Sequence, residues 1–259
     1  MSDSPVLYQV DGAVATITLN RPDVLNALNA PLMIALREAV TAATDDAAVR
    51  AVIVTGAGRG FSAGADLAAS SGGTGNAGST LRERYHPVIL AMRAMPKPII
   101  SAVNGVAAGA GMSIAMAGDI ILAGRSASFL QAFSKIGLVP DAGSTWFLPR
   151  YVGDVRARAL AILADRISAA DAHSFGLVWQ VHDDAELMPK AREMAERLAA
   201  MPTRAYAMIK QALNDSHQRD LATQLELEAD LQVQAGQTED FREGVAAFLQ
   251  KRPPQFKGR

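Results

Sequence analysis

Apolar residues along this chain fall into two rhythms. Short runs rich in β-branched residues, at 13–19 (AVATITL), 51–55 (AVIVT), 99–103 (IISAV) and 119–123 (DIILA), predict strands. Between them the spacing turns helical. Asn29 caps and Pro31 opens a helix through LMIALREAVTAA, and a second covers about 81–95. Strand and helix therefore alternate, which implies an α/β fold whose strands are covered by helices.

After Pro140 the pattern becomes almost continuously helical. Ala205, Met208, Ile209, Ala212 and Leu213 mark one apolar face, and Ala191, Met194, Ala195 and Leu198 mark another. A last helix takes Thr238 as its N-cap, carries Glu239 and Asp240 in its first turn, and ends before Pro253. No linker separates this part, so residues 1–200 are read as a core and 201–259 as a helical region of the same structural unit. The low-complexity segment 68–80 (AASSGGTGNAGST) reads as a mobile loop of the kind that forms lids.

One stretch fits neither rhythm. Residues 105–119, GVAAGAGMSIAMAGD, are crowded with glycine and alanine and end on an acid. Its fourteen uncharged residues fall short of the ~20 that a membrane-spanning helix needs. A nucleotide-gripping loop and a packed turn whose backbone does chemistry remain.

Composition narrows the classes. The chain has 259 residues, 20% charged and 49% hydrophobic, with a net charge of −1, so it carries no global field for nucleic acid or a membrane surface. It has no cysteine, which excludes disulfides, thiolate catalysis and zinc–cysteine sites. The N-terminal MSDSPVLYQVDG has no secretory pattern, so a cytoplasmic location is expected. The four histidines, His86, His173, His182 and His217, have no ligand spacing, so no metal site is expected.

Two glycine clusters carry the candidate chemistry. Gly58, Gly60 and Ala63 match the spacing of a dinucleotide fingerprint, but that motif needs a helix next, and here the low-complexity segment arrives first. No Gly-Lys-Ser/Thr follows either cluster, so neither is a P-loop. Each cluster follows a strand-like run with residues small enough to leave backbone N–H groups exposed. Two such amides can hold one developing oxyanion. Tight helix–strand packing through Gly and Ala is the competing account.

Four ordered segments, LNRPDVLNALN, GAGRGFSAGADL, AVNGVAAGAGMSIAMAGDIILA and GLVPDAGSTWFLPRYVG, resemble the successive signatures of the crotonase (enoyl-CoA hydratase/isomerase) superfamily nearly end to end. The resemblance implies a spiral of β-β-α turns with a C-terminal helical region that builds homotrimers, often paired as hexamers. It implies an acyl-CoA substrate, with coenzyme A as part of the thioester and no separate cofactor. The amides of Ala65 and Ala110 are then the oxyanion hole. Relatives that hydrate enoyl thioesters use two glutamates, where this chain has Ser113 and Phe133. Asp141 is left as a single acid, and its competing role is a helix N-cap. One carboxylate beside an oxyanion hole suffices to move a proton and a double bond.

The segment QAFSKIGLVPDAGSTWFLPR and the tail FREGVAAFLQKRPPQFKGR further resemble family members that isomerise a ring-epoxidised phenylacetyl-CoA to an oxepin thioester, or a 3-enoyl to a 2-enoyl thioester. Ser144 departs from the glycine expected there. A hydratase using one acid and a non-catalytic acyl-CoA-binding subunit are the alternatives. By the same resemblance Val24, Leu25, Ala63, Asp66 and Leu67 line the CoA channel, with a capping role the alternative for Asp66. Phe133 and Trp146 shape the acyl pocket or belong to the core. Lys251 holds CoA phosphates near Phe248, which is otherwise packing.

Overall fold

The computed structural model describes residues 4–68 and 77–259. The chain opens with a hairpin, β1 (Val6–Asp11) and β2 (Val14–Leu19), followed by α1 (Ala30–Asp45). Asn29 caps α1 as expected, accepting the Leu32 amide at 3.0 Å.

From there the chain repeats one unit. A strand of a large sheet is followed by a three-residue strand of a small sheet and then by helix. The first turn is β3 (Ala51–Gly56), β4 (Gly60–Ser62), α2 (Ala77–Thr80) and, after one π-helical turn at Leu81–Tyr85, α3 (His86–Ala94). The second is β5 (Ile99–Val103), β6 (Val106–Ala108) and α4 (Ala110–Ala117). The third is β7 (Ile120–Gly124) and β8 (Ser128–Leu130), leading to α5 (Ser144–Val152) and α6 (Asp154–Leu163).

The large sheet has the order β1-β2-β3-β5-β7 and ends on β10 (Gln180–His182). The small one runs β4-β6-β8 and ends on β9 (Ile167–Ser168). Within each sheet the repeating strands are parallel, as crossover connections require. This is the expected spiral.

Strands β3 and β5 are buried at every position because helices cover both faces of the sheet. On one side lies α1. On the other lies α8 (Leu187–Ala199), which buries Ala191, Met194 and Ala195 against Ile53, Ile100 and Leu122. Helix α7 (Ala169–Ser174) closes the small sheet's end with a capping box, Ser168 accepting the Asp171 amide at 3.0 Å.

One expectation is corrected. The region after Pro140 is not continuous helix, since β9 and β10 complete the two sheets; two or three residues are too few to show a period. Helix α9 (Thr203–Ser216) does not bury its apolar face within the chain. Ile209 and Leu213 stay exposed, while Lys210 turns inward to pair with Asp119 at 2.7 Å and to donate to the Lys97 carbonyl at 2.9 Å. Helices α10 (Leu221–Gly236) and α11 (Glu239–Gln250) follow, and Thr238 caps α11 as expected, accepting the Phe241 amide at 3.0 Å. The lid reading of 68–80 falls largely on 69–76, outside the described residues; 77–80 is helical.

Candidate active site

The glycine- and alanine-rich stretch forms β6, a glycine turn and α4. Helix α4 has eight residues, all buried, and at 1.5 Å rise is about 12 Å long, far too short to span a membrane. No described helix is long and apolar enough to do so. Tight packing and backbone exposure, posed as rivals, coexist here. A Cβ on Gly111 would sit 2.5 Å from the Ser62 carbonyl oxygen, so the small residue lets α4 lie directly on β4. The turn at Gly109 has φ +50° and ψ −127°, a conformation open in practice only to glycine, and it delivers Ala110 as the first helical residue. The Ala110 amide therefore points out of the helix start, with no acceptor among the described residues.

The first glycine cluster supplies the second amide. After β3 the chain enters β4 rather than a helix, so the dinucleotide fingerprint is set aside. A parallel bridge pairs Leu28 with Ala65. It uses the Gly64 carbonyl, which accepts from Leu28 at 2.7 Å, and the Asp66 amide, which donates to Leu28 at 3.0 Å. Bridge geometry turns the intervening Ala65 N–H to the opposite side, and it too has no acceptor among the described residues. Gly64, at φ +92°, brings the two segments together: a Cβ there would lie 2.7 Å from the Ala108 carbonyl oxygen and 3.6 Å from the Ala110 nitrogen. Two unbonded amides thus stand on adjoining segments, one of them at a helix N-terminus, where the dipole favours negative charge.

Asp141 precedes α5 but does not cap it. The residue at the cap is Gly143, and no side chain bonds the first-turn amides. Both Ala142 (φ +48°) and Gly143 (φ +88°) are left-handed, so the chain kinks sharply just after the acid. Asp141 Oδ1 is buried without a hydrogen-bond partner among the described residues. Burial pushes its carboxyl up to about 6. A half-buried, unpaired acid in a strained turn has no structural use that a neutral residue would not serve better.

The segment before α1 lies against these elements. The Leu25 carbonyl accepts the Ala63 amide at 2.8 Å, which brings Val24, Leu25, Ala63, Ala65 and Leu67 onto one rim; of these only Leu25 is partly covered. Asp66 pairs with Arg21 at 2.8 Å, and the segment it was alternatively expected to cap lies largely outside the described residues. Phe133 is buried, with its ring 3.7 Å from where a Gly109 Cβ would be, and so stands beside the Gly109 turn. Trp146 faces α9, against the guanidinium of Arg150 and the ring of His217. It also borders a cavity of about 690 Å³ between α3, α5 and α9, which Gly143 connects to the Asp141 turn. Phe248 is 83% exposed on α11, and the Lys251 side chain is exposed just after it. Within this single chain neither is brought to the Ala65–Asp141 region by any described contact.

Two contributors escape sequence reasoning. Asn26, fully buried at φ +55°, accepts the Arg21 amide at 2.8 Å and donates to the Gly60 carbonyl at 2.8 Å, locking the Leu25 rim to β4. Tyr85, at the end of the π turn, donates to the Leu28 carbonyl at 3.3 Å behind the Ala65 bridge. Burial and the nearby Asp141 charge push its hydroxyl up to about 12, so it stays a donor. The only sequence signal for Asn26 is its tolerance of the left-handed region, and Tyr85 has none beyond its place in an expected helix.

Known proteins resemble this chain in sequence and in fold. The family model described as "Enoyl-CoA hydratase/isomerase" matches residues 9–259. The chain is 46% identical to the 1,2-epoxyphenylacetyl-CoA isomerase of Escherichia coli over 258 residues, 98% of each chain. It is 45% identical, over the full length of both, to a Rhodobacter capsulatus protein named "Probable enoyl-CoA hydratase". The crystal structure of an enoyl-CoA hydratase from Polaromonas has a TM-score of 0.91 at 35% identity, covering 97% of this chain and 99% of that one.

Proposed function

This chain belongs to the enoyl-CoA hydratase/isomerase, or crotonase, family and has its fold, and from that premise we propose that it is an acyl-CoA isomerase with Asp141 as its single acid–base. The observation that carries the reading is a buried carboxylate oxygen with no partner among the described residues, in a site whose two amides, equally unbonded among them, suit a thioester enolate.

With a 3-enoyl thioester, Asp141 removes a proton from C2. The charge moves to the thioester oxygen, held by Ala65 N–H and Ala110 N–H, and Asp141 returns the proton to C4 as the double bond settles between C2 and C3. A ring-epoxidised phenylacetyl thioester uses the same start. Its proton leaves the carbon beside the thioester and returns to a ring carbon as the epoxide expands to the oxepin. The Escherichia coli relative, named for an epoxyphenylacetyl-CoA substrate, supports this acyl group. Every atom is conserved, so the reaction asks for no cofactor beyond the coenzyme A of the substrate.

Two-acid hydration is disfavoured because Ser113 and Phe133, both buried, offer no second carboxylate to activate a water. The test compares two substrates on the purified protein. A 3-enoyl-CoA is expected to become the conjugated 2-enoyl thioester, read by ultraviolet absorbance, at least tenfold faster than crotonyl-CoA loses its conjugation by hydration. The reverse order would make the protein a one-acid hydratase.

A homotrimer or a hexamer of paired trimers completes the proposal. Leu221, Leu225, Val233, Phe241, Phe248 and Leu249 stay exposed along α10 and α11, apolar side chains that neighbouring subunits would cover. Light scattering is expected to return three or six times the 27.3 kDa chain. A monomeric mass at micromolar concentration would exclude it, and would leave Phe248 and Lys251 without a route to the site.

A further inference from the structure

Beneath Asp141 lies a polar cluster that the mechanism above does not use. Ser113, Ser144 and Gln131 are all buried, each at 1% exposure or less, and are linked: Ser113 Oγ lies 2.6 Å from Ser144 Oγ, and Gln131 Nε2 lies 3.2 Å from Ser144 Oγ. Ser113 Oγ in turn lies 3.0 Å from the Asp141 carbonyl oxygen.

Proton counting gives the cluster a direction. Gln131 Nε2 also lies 3.2 Å from Met112 Sδ, and a thioether only accepts, so it is the amide NH₂ that faces both groups. Ser144 therefore accepts from Gln131 and gives its own proton to Ser113. Ser113 has one proton left, which it gives to the Asp141 carbonyl rather than to the Gly109 carbonyl at 3.4 Å. The Asp141 carbonyl also accepts the Ser144 amide at 2.9 Å, so two bonds hold the main chain of the acid where Ala142 and Gly143 turn left-handed.

We propose that Ser113, Ser144 and Gln131 are positioning residues for Asp141, a one-way hydrogen-bond chain that fixes the acid's turn against the helix whose first amide is Ala110. Ser113 sits one turn along α4 from that amide, so the chain joins the acid–base to the oxyanion donor through a single hydroxyl. The proposal rests on the acid–base role of Asp141. Both serines are buried. Each acts on where the carboxylate stands, and an ångström of misplacement is enough to slow catalysis roughly 100-fold.

The experiment measures kcat, KM and melting temperature of the full-length enzyme with a 3-enoyl-CoA, for wild type, Ser113→Ala, Ser113→Thr, Ser144→Ala and Asp141→Asn. Ser113→Ala and Ser144→Ala are each expected to lower kcat roughly 10- to 100-fold with KM held within about twofold, and Ser113→Thr, which keeps the hydroxyl, to recover most of the loss. A purely structural role would move melting temperature and KM and would not be rescued by the hydroxyl. If Asp141→Asn is inactive while both alanine variants match wild type, the chain has no positioning role and the acid–base reading stands. If Asp141→Asn is as active as wild type, the acid–base reading fails and the proposal with it. Should Ser113→Ala not fold, Ser144→Ala breaks the same chain one link earlier and decides by the same values.

Discussion

Asp141→Asn is expected to lower kcat for 3-enoyl-CoA isomerisation about 10³-fold, within the 10²–10⁴ range for loss of a general acid–base, while leaving affinity for the CoA ester unchanged. Asparagine keeps the shape and removes the proton exchange. Among the described residues no group satisfies the buried Asp141 oxygen, which leaves it free to meet the substrate's proton. The pH dependence checks the same assignment. Burial raises the carboxyl from 3.8 to about 6, so between these values the folded state keeps a proton that the unfolded state has lost. Stability from this group therefore falls as pH rises from about 4 to about 6 and is level above that. The difference in melting temperature, wild type minus Asp141→Asn, should decline across that window and flatten beyond it. The base form is the ionised one, so kcat/KM should rise through about pH 6 to a plateau. An active Asn variant would return Asp141 to a structural role, and a flat stability difference would deny its burial.

How much of this was legible in the sequence depends on whether an element is long enough to write a pattern. Strands β3 and β5 did, as unbroken apolar runs, since both their faces are buried. Strands β4, β6 and β8 did not: three residues of Gly, Ala, Ser, Val, Phe and Leu hold no alternation, and only the glycine clusters hinted at them. Helix α9 showed its face but not its partner, because apolar periodicity marks a face that must be covered without saying by what. Within this chain the inward positions belong to Lys210, bound to Asp119, and Asn214, bound to Arg93.

The site divides in the same way. A main-chain donor leaves no side-chain signature, so Ala65 and Ala110 emerged only through the family resemblance, and the structure then supplied the bridge and the helix start that free their amides. Asp141 was visible as an acid after a proline, but the sequence could not weigh its capping role, which the structure sets aside because its side chain bonds no first-turn amide. Ser144 stood out as a departure from pattern. Its partnership with Ser113 spans 31 residues and no local rule connects them.

The proposed oxyanion hole meets its own test at Gly64→Ala, for which kcat is expected to fall 10²- to 10³-fold, equivalent to about 2.7–4 kcal/mol for one lost donor. Two constraints meet at this residue. Its φ of +92° disfavours any side chain, and the new Cβ would lie 2.7 Å from the Ala108 carbonyl oxygen, closer than contact allows. Ala108 has little freedom to yield, because β6 is paired with β4 on one side and β8 on the other. The loop carrying Ala65 must therefore move, and the Leu28 bridge that aims its amide moves with it. Backbone strain alone costs on the order of 1–3 kcal/mol and lowers melting temperature by several degrees without touching chemistry. Gly12→Ala separates the two effects: Gly12 has φ +59° in the β1–β2 turn with nothing within 4 Å, so it carries the strain without the collision. Melting temperature should fall in both variants and kcat only at Gly64. Equal kcat in the two, each near wild type, would mean that the Ala65 amide does not hold the thioester oxygen.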